Sequence, residues 1–155
     1  MIEFLRVDHR LLHGQVAVSW FNKLDVNTIL VANDSVAGDD FRKSAIRLAK
    51  PEQAKLVMKS IKDSIQAINS GSTDKYKLLV VVESVDDAKK LIEGTGTTIK
   101  SLNIGGTKQR EGTQNYSKAV NLTENEYNEL KTLSCDGIEV FIQQVPNEKK
   151  MMLPN

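Results

Sequence analysis

Two periods of hydrophobic spacing alternate along the chain. Short aliphatic runs fall at residues 2–7, 28–32, 55–58, 77–82, 99–104 and 137–145, and their length and Val/Ile/Leu content predict buried strands. Residues 118–122 read as one further short strand. Helical spacing separates these runs. In 41–48, Phe41, Ala45, Ile46 and Leu48 predict an apolar face, with Arg42, Lys43 and Arg47 largely opposite and Pro51 closing the element. Ser60-x-x-Asp63 and Ser84-x-x-Asp87 read as N-caps, the first before Ile61, Ile65 and Ile68, the second before Ala88, Leu91 and Ile92. Thr123-x-x-Glu126 reads as a capping box before Tyr127, Leu130 and Leu133. A helix after Gly14 is predicted to turn Val16, Trp20 and Phe21 to the core. Internal repeats and low-complexity tracts are absent.

Repeated strand–helix–strand alternation predicts an α/β fold: an open, mainly parallel twisted sheet with helices on both faces. The length, 155 residues, suits one domain spanning residues 1–155. Such sheets bind ligands beyond the carboxyl ends of their strands, near the point where strand order reverses. Three loops are placed there by the pattern: 8–15, 33–40 and 105–112.

Composition narrows the classes. The chain is 40% hydrophobic, 26% charged and 5% aromatic, an ordinary globular balance. Twenty-one Lys and Arg offset 20 Asp and Glu and are scattered among them, so no nucleic-acid footprint is predicted. Cys135 is the single cysteine, which rules out an intramolecular disulfide and fits a reducing compartment. The first residues lack the pattern of a signal peptide. The longest aliphatic run, residues 78–82, is far short of the roughly 20 residues that cross a bilayer. A soluble, cytoplasmic chain is the expectation.

Chemistry concentrates in the first loop, Arg6-Val7-Asp8-His9-Arg10-Leu11-Leu12-His13-Gly14-Gln15-Val16, which holds both histidines of the chain. A neutral imidazole nitrogen can attack phosphorus reversibly, and the phosphoramidate formed has high transfer potential. Such transfer needs positioning and charge neutralisation. Arg10 can fork onto phosphoryl oxygens; Asp8 can either hold Arg10 or fix the tautomer of a histidine. Gly14 permits close backbone approach at a helix start, where amides favour an anion, and Gln15 adds a neutral donor. The plain alternative is that both histidines are loop residues satisfied by backbone carbonyls, most of all His9, which lies among charges. His9-x-x-x-His13 would also suit metal ligation on a helix, but there is no third histidine and Cys135 is distant, so no metal is expected.

The same segment resembles the active-site loop of the IIB subunits of the mannose/fructose/sorbose family of bacterial sugar phosphotransferase systems. The likeness continues through Ile29-Leu30-Val31-Ala32-Asn33-Asp34, Phe41-Arg42-Lys43, Leu102-Asn103-Ile104-Gly105-Gly106 and Gln144-Val145-Pro146. The resemblance implies that His13 takes a phosphoryl group from a IIA partner, at Nδ1, and passes it to a sugar held by membrane IIC and IID subunits. It implies that Arg10 stabilises the phosphoryl group, that Asp8 orders the loop, and that Gly14 and Gln15 contact phosphate. It further implies a protein-histidine phosphotransferase with no cofactor, located in the cytoplasm against the membrane subunits, for which a homodimer is reasonable. Many members have Asp or Ser where His9 stands, so His9 is not an equivalent catalytic group.

The remaining loops carry smaller expectations. Asn33 and Asp34 either border the site or cap the next turn, with capping favoured. Gly105-Gly106-Thr107 is read as a turn that brings backbone close to the first loop. Lys108 and Arg110 form either a docking surface or a solvated face, and Trp20 is read as core. Among rival functions, a phosphohistidine phosphatase or mutase needs a second histidine downstream, which is missing. A receiver domain with Asp34 as acceptor needs an acidic metal cage, which Arg-Val-Asp-His-Arg does not supply. A dinucleotide module needs Gly-x-Gly-x-x-Gly after a strand.

Overall fold

The computed structural model describes residues 1–96 and 99–154. In chain order the elements are β1 (Ile2–Asp8), α1 (Gly14–Lys23), β2 (Thr28–Ala32), α2 (Asp34–Ala37), α3 (Asp40–Leu48), β3 (Lys55–Lys59), α4 (Ile61–Asn69) and β4 (Leu78–Val82). They continue with α5 (Val85–Thr95), β5 (Ser101–Gly106), β6 (Thr113–Ser117), β7 (Val120–Thr123), α6 (Glu124–Cys135), β8 (Glu139–Ile142) and β9 (Met151–Met152). The main sheet runs β3-β2-β4-β1-β5-β8-β9; all its pairings are parallel except β8 with β9, and β6 and β7 form a separate antiparallel hairpin. This is the open α/β sheet that the two periods predict.

Side-chain alternation divides the core in two. Leu5, Val7, Leu30, Val80, Leu102 and Ile104 pack against α4, α5 and α6. Phe4, Ile29, Val31, Leu79, Val81 and Phe141 pack against α1, α2 and α3 on the other face. The interior strand β4, Leu-Leu-Val-Val-Val, is buried throughout because both its faces are covered. Ser60, Ser84 and Thr123 cap α4, α5 and α6 as their spacing predicts, and Thr123 with Glu126 closes the full capping box.

Three local readings change. The apolar face expected for α3 does not pack into the core: Ile46 is its one buried hydrophobic, while Phe41 is 84% and Leu48 90% exposed. The physical reason is α2, a four-residue helix that the periodicity did not reveal. Its fully buried Val36 occupies core space on that side of the sheet. Gly105 and Gly106 end strand β5 and are not a turn. The polar strand β6 and the two-residue β9 carry too little hydrophobic pattern to be read in advance.

Strand order reverses beside β1. The chain leaves β1 through α1 toward β2, whereas it leaves β5 through α6 toward β8, on the opposite side. The connections after β1 and β5 therefore diverge and leave a crevice beyond the carboxyl ends of the two strands, which themselves stay paired, Asp8 with Gly106 at a register shift. The loop with both histidines opens directly from that point.

Candidate active site

Asp8 is the hub. It is the last residue of β1, its side chain is fully buried (0% exposed), and every charged group of the loop faces it. Arg6 Nη2 donates to Asp8 Oδ2 at 3.0 Å, and the Arg10 backbone amide donates to Oδ1 at 3.0 Å. Arg10 Nε lies 3.6 Å from Oδ1, His13 Nε2 3.4 Å from Oδ2 and His9 Nδ1 3.9 Å from Oδ1. A buried carboxylate is tolerated only when paired, and here the pairing is built from two residues of its own strand and loop.

Arg6 holds the carboxylate from beneath. It is buried in β1, where alternation puts it on the face of Phe4 and Trp20, and its guanidinium lies 5.5 Å from the Trp20 ring centroid. Its Nη1 donates to Asn103 Oδ1 at 2.7 Å and to the Gln143 carbonyl at 3.2 Å. Burial pulls its pKa below the ordinary value, and the charge of Asp8 opposes that shift. Gly105 makes the arrangement possible, because a Cβ there would stand 2.1 Å from the guanidinium carbon. Gly106 serves the next layer: its carbonyl accepts from the His9 amide at 2.9 Å, and a Cβ on it would meet Asp8 Oδ1 at 3.3 Å. The close approach expected of this glycine pair is present, made by a strand end.

The loop is fixed by its own apolar residues. Leu11 and Leu12 are buried against Trp20 and its neighbours, and the Leu11 amide donates to the Asp8 carbonyl at 2.8 Å. Leu11 adopts φ 59°, a left-handed conformation unusual for a leucine and held by that packing. Gly14, at φ 44°, then turns the chain into α1. His13 is the N-cap residue of α1 but makes no capping hydrogen bond, so its side chain is free for another use.

His13 combines accessibility with a fixed orientation. The side chain is 26% exposed. Nε2 is buried, faces Asp8 and has no hydrogen-bond partner, which makes it the nitrogen suited to carry hydrogen toward the carboxylate. Nδ1 is left as the nitrogen with a free lone pair. Burial lowers the His13 pKa; Asp8 opposes this, while Arg10 and Arg6 reinforce it. The ring is therefore neutral near pH 7, as a nucleophile must be. Around it, the exposed first turn of α1, with Gly14 and Gln15, carries no acidic residue, whereas each of the other helices has one. An anion beside His13 meets helix amides and no competing carboxylate from that turn.

Other expected residues separate cleanly. Arg10 reaches Asp8 by backbone and Nε, and its side chain is 43% exposed, leaving the rest of the fork toward solvent. His9 is a neighbour whose Nδ1 is buried without a hydrogen-bond partner. Asn33 caps α2 through the Val36 amide at 2.9 Å, and Asp34 accepts from the Ile61 amide at 2.9 Å; both are structural. Arg110 is held by Glu126, at 2.6 and 2.8 Å, and Lys108 is exposed on the same loop. Trp20 is core, its Nε1 donating to the Gln144 carbonyl at 2.9 Å. Arg6 and Asn103 are the site residues that sequence reasoning passed over. The available signal was an arginine inside an otherwise apolar strand, Ile-Glu-Phe-Leu-Arg-Val. Among the described residues no three His, Cys, Asp or Glu side chains are arranged to hold a metal, and no helix is long and apolar enough to cross a membrane.

Comparison with known proteins agrees in extent. Residues 2–155 match the family described as "PTS system sorbose subfamily IIB component". The mannose-specific EIIAB component of Escherichia coli K12 is 29% identical over 153 residues, 99% of this chain but 47% of that protein; the chain thus spans about half the length of that relative. The N-acetylgalactosamine-specific phosphotransferase enzyme IIB component 2 of the same strain is 32% identical over 143 residues, covering 92% of this chain and 90% of its own. The crystal structure of manxB from Thermoanaerobacter tengcongensis superposes with a TM-score of 0.92 at 28% identity, covering 99% of this chain and 92% of that one.

Proposed function

The chain belongs to the sorbose-subfamily IIB components of the sugar phosphotransferase systems, and from that premise we propose that it is a phosphoryl carrier whose acceptor atom is Nδ1 of His13. The observation that supports this reading most directly is the orientation of the imidazole: Nε2 faces the buried Asp8 carboxylate at 3.4 Å, which leaves Nδ1 as the nucleophile at the mouth of the crevice.

A phosphorylated histidine on a IIA partner approaches this mouth. The His13 Nδ1 lone pair forms a bond to phosphorus as the donor's P–N bond breaks and the donor nitrogen leaves with that electron pair. Arg10 and the first amides of α1 neutralise the phosphoryl oxygens, and Gly14 and Gln15 border them. Asp8 stabilises positive charge that develops on the His13 ring through Nε2, and Arg6 holds Asp8 in place. In the second half-reaction a hydroxyl of a sugar held by membrane IIC and IID subunits attacks phosphorus and gives up its proton to a base or water on the acceptor side, while the P–Nδ1 bond breaks and its electron pair returns to Nδ1. A cytoplasmic chain that docks on those subunits fits both halves. The relatives are named for mannose, N-acetylgalactosamine and fructose at similar identities of 29% to 32%, so sugar choice is assigned to the membrane subunits.

The test is phosphorylation by phosphoenolpyruvate, the general phosphotransfer proteins and IIA. Acid-labile, alkali-stable label is expected on the chain, retained by His9→Ala and Cys135→Ser and absent from His13→Ala. Label that persists in His13→Ala would refute the assignment.

A further inference from the structure

Helix α3 turns a complete apolar stripe to solvent. Phe41, Ser44, Ala45 and Leu48 stand at i, i+3, i+4 and i+7, one helical face, and all four are exposed. Phe41 and Leu48, at 84% and 90%, are the most exposed large hydrophobics among the described residues; the others, Met1, Met151 and Met152, lie close to the two chain ends. No core position of this protein requires the stripe, because Ile46 alone anchors the helix from its opposite side.

The stripe is complementary to itself. Two copies of α3 laid antiparallel about an axis between Ser44 and Ala45 set Phe41 of each against Leu48 of the other. The small central residues allow the helices to close. Asp40 and Arg47 flank the stripe one turn-pair apart, and both are exposed. In the antiparallel pair each Asp40 meets the Arg47 of the other copy, as flanking positions do in antiparallel helix pairs. A parallel two-fold pair would put the two Asp40–Arg47 flanks on opposite sides of the interface, so this charge pairing forms only in the antiparallel arrangement. Arg42 does not compete for this role, being held by Ser35 at 3.0 Å and Glu83 at 3.4 Å.

We propose that α3 is a self-association face through which two copies of this chain pair about a two-fold axis. The arrangement is isologous and closed, so it stops at a dimer. One short helix per copy buries less than the roughly 800 Å² per partner of a standard stable interface, so the dimer is weak and concentration-dependent.

Sedimentation equilibrium from micromolar to millimolar chain tests this. The average mass is expected to rise from 17.3 kDa toward twice that value. Phe41→Ser with Leu48→Ser should stay monomeric and keep its circular dichroism. Arg47→Asp alone should also stay monomeric, whereas Asp40→Arg combined with Arg47→Asp should restore the dimer. Ala45→Cys in a Cys135→Ser background provides a check independent of helix stability: it should oxidise to a covalent dimer faster than Lys62→Cys in the same background. A chain that is monomeric throughout, a dimer that survives loss of both apolar residues, or equal cross-linking at both sites would overturn the proposal. So would a monomer whose stripe variant is slowed only in phosphoryl transfer from IIA, since that would assign the stripe to a different partner.

Discussion

Asp8 binds Arg6 through one oxygen and the Arg10 amide through the other, so Asp8→Asn should act on stability and on chemistry at once. Leaving Arg6 buried without its counter-charge is expected to destabilise the fold by about 3 kcal/mol, read from urea denaturation. An amide would no longer hold the His13 tautomer, and phosphoryl acceptance from IIA should fall by on the order of 100-fold at a concentration where the variant is folded. A separate consequence concerns pH. The His13 pKa is lowered in the folded chain, chiefly by burial, so the unfolded chain binds the proton more readily. Above the unfolded value, about 6.5, both states are neutral and the group contributes nothing to pH dependence. As pH falls below about 6.5 the unfolded state gains protons first, and stability declines until the folded pKa is passed. Wild type should therefore lose stability relative to His13→Asn across that window, while its phosphorylation rate stays high below pH 6.5. A profile that falls at or above pH 6.5 would contradict the lowered pKa. At this scale the first loop was legible as the place where charged and histidine side chains gather, because both histidines follow a strand directly, whereas the roles given to His13, Arg10 and Asp8 came from the family resemblance. Arg6 and Asn103 were not, because their roles depend on β1 and β5 lying side by side, a pairing between residues 97 apart.

At the scale of elements, the glycines of β5 set the geometry. Gly105→Ala would force a methyl into the Arg6 guanidinium at 2.1 Å, and overpacking of this kind should destabilise by about 2 kcal/mol. It should also weaken His13 phosphorylation, although the substitution touches neither His13 nor Arg10. Thr123→Ala removes half of the capping box of α6 and touches none of the groups bonded to Asp8; about 1 kcal/mol of stability should be lost with phosphorylation unchanged. Together these variants separate damage to the site from damage to the fold. Caps and strands were readable wherever local chemistry decides the element, as at Ser60, Ser84 and Thr123. The exposed stripe of α3 was misread because its burial depends on a competitor, α2. Four residues, Asp34–Ala37, are too few to show a helical period, yet Val36 fills space on the face of the sheet that the α3 stripe was expected to pack against.

For the whole molecule, topology is what suits so small a loop to the proposed carrier role. Reversal of strand order beside β1 opens the crevice, the parallel sheet fixes Asp8 and Arg6 from below, and the first turn of α1 faces the crevice from its rim. His13 is then held with Nε2 against a buried charge, which leaves Nδ1 for the proposed transfer. The most direct test is to phosphorylate the nitrogen-15-labelled chain with phosphoenolpyruvate, the general phosphotransfer proteins and IIA, and to read the nitrogen–phosphorus coupling by NMR. The account predicts a single phosphohistidine at Nδ1 of His13, with Nε2 carrying hydrogen. Phosphate on Nε2, on His9 or on Cys135 would contradict it.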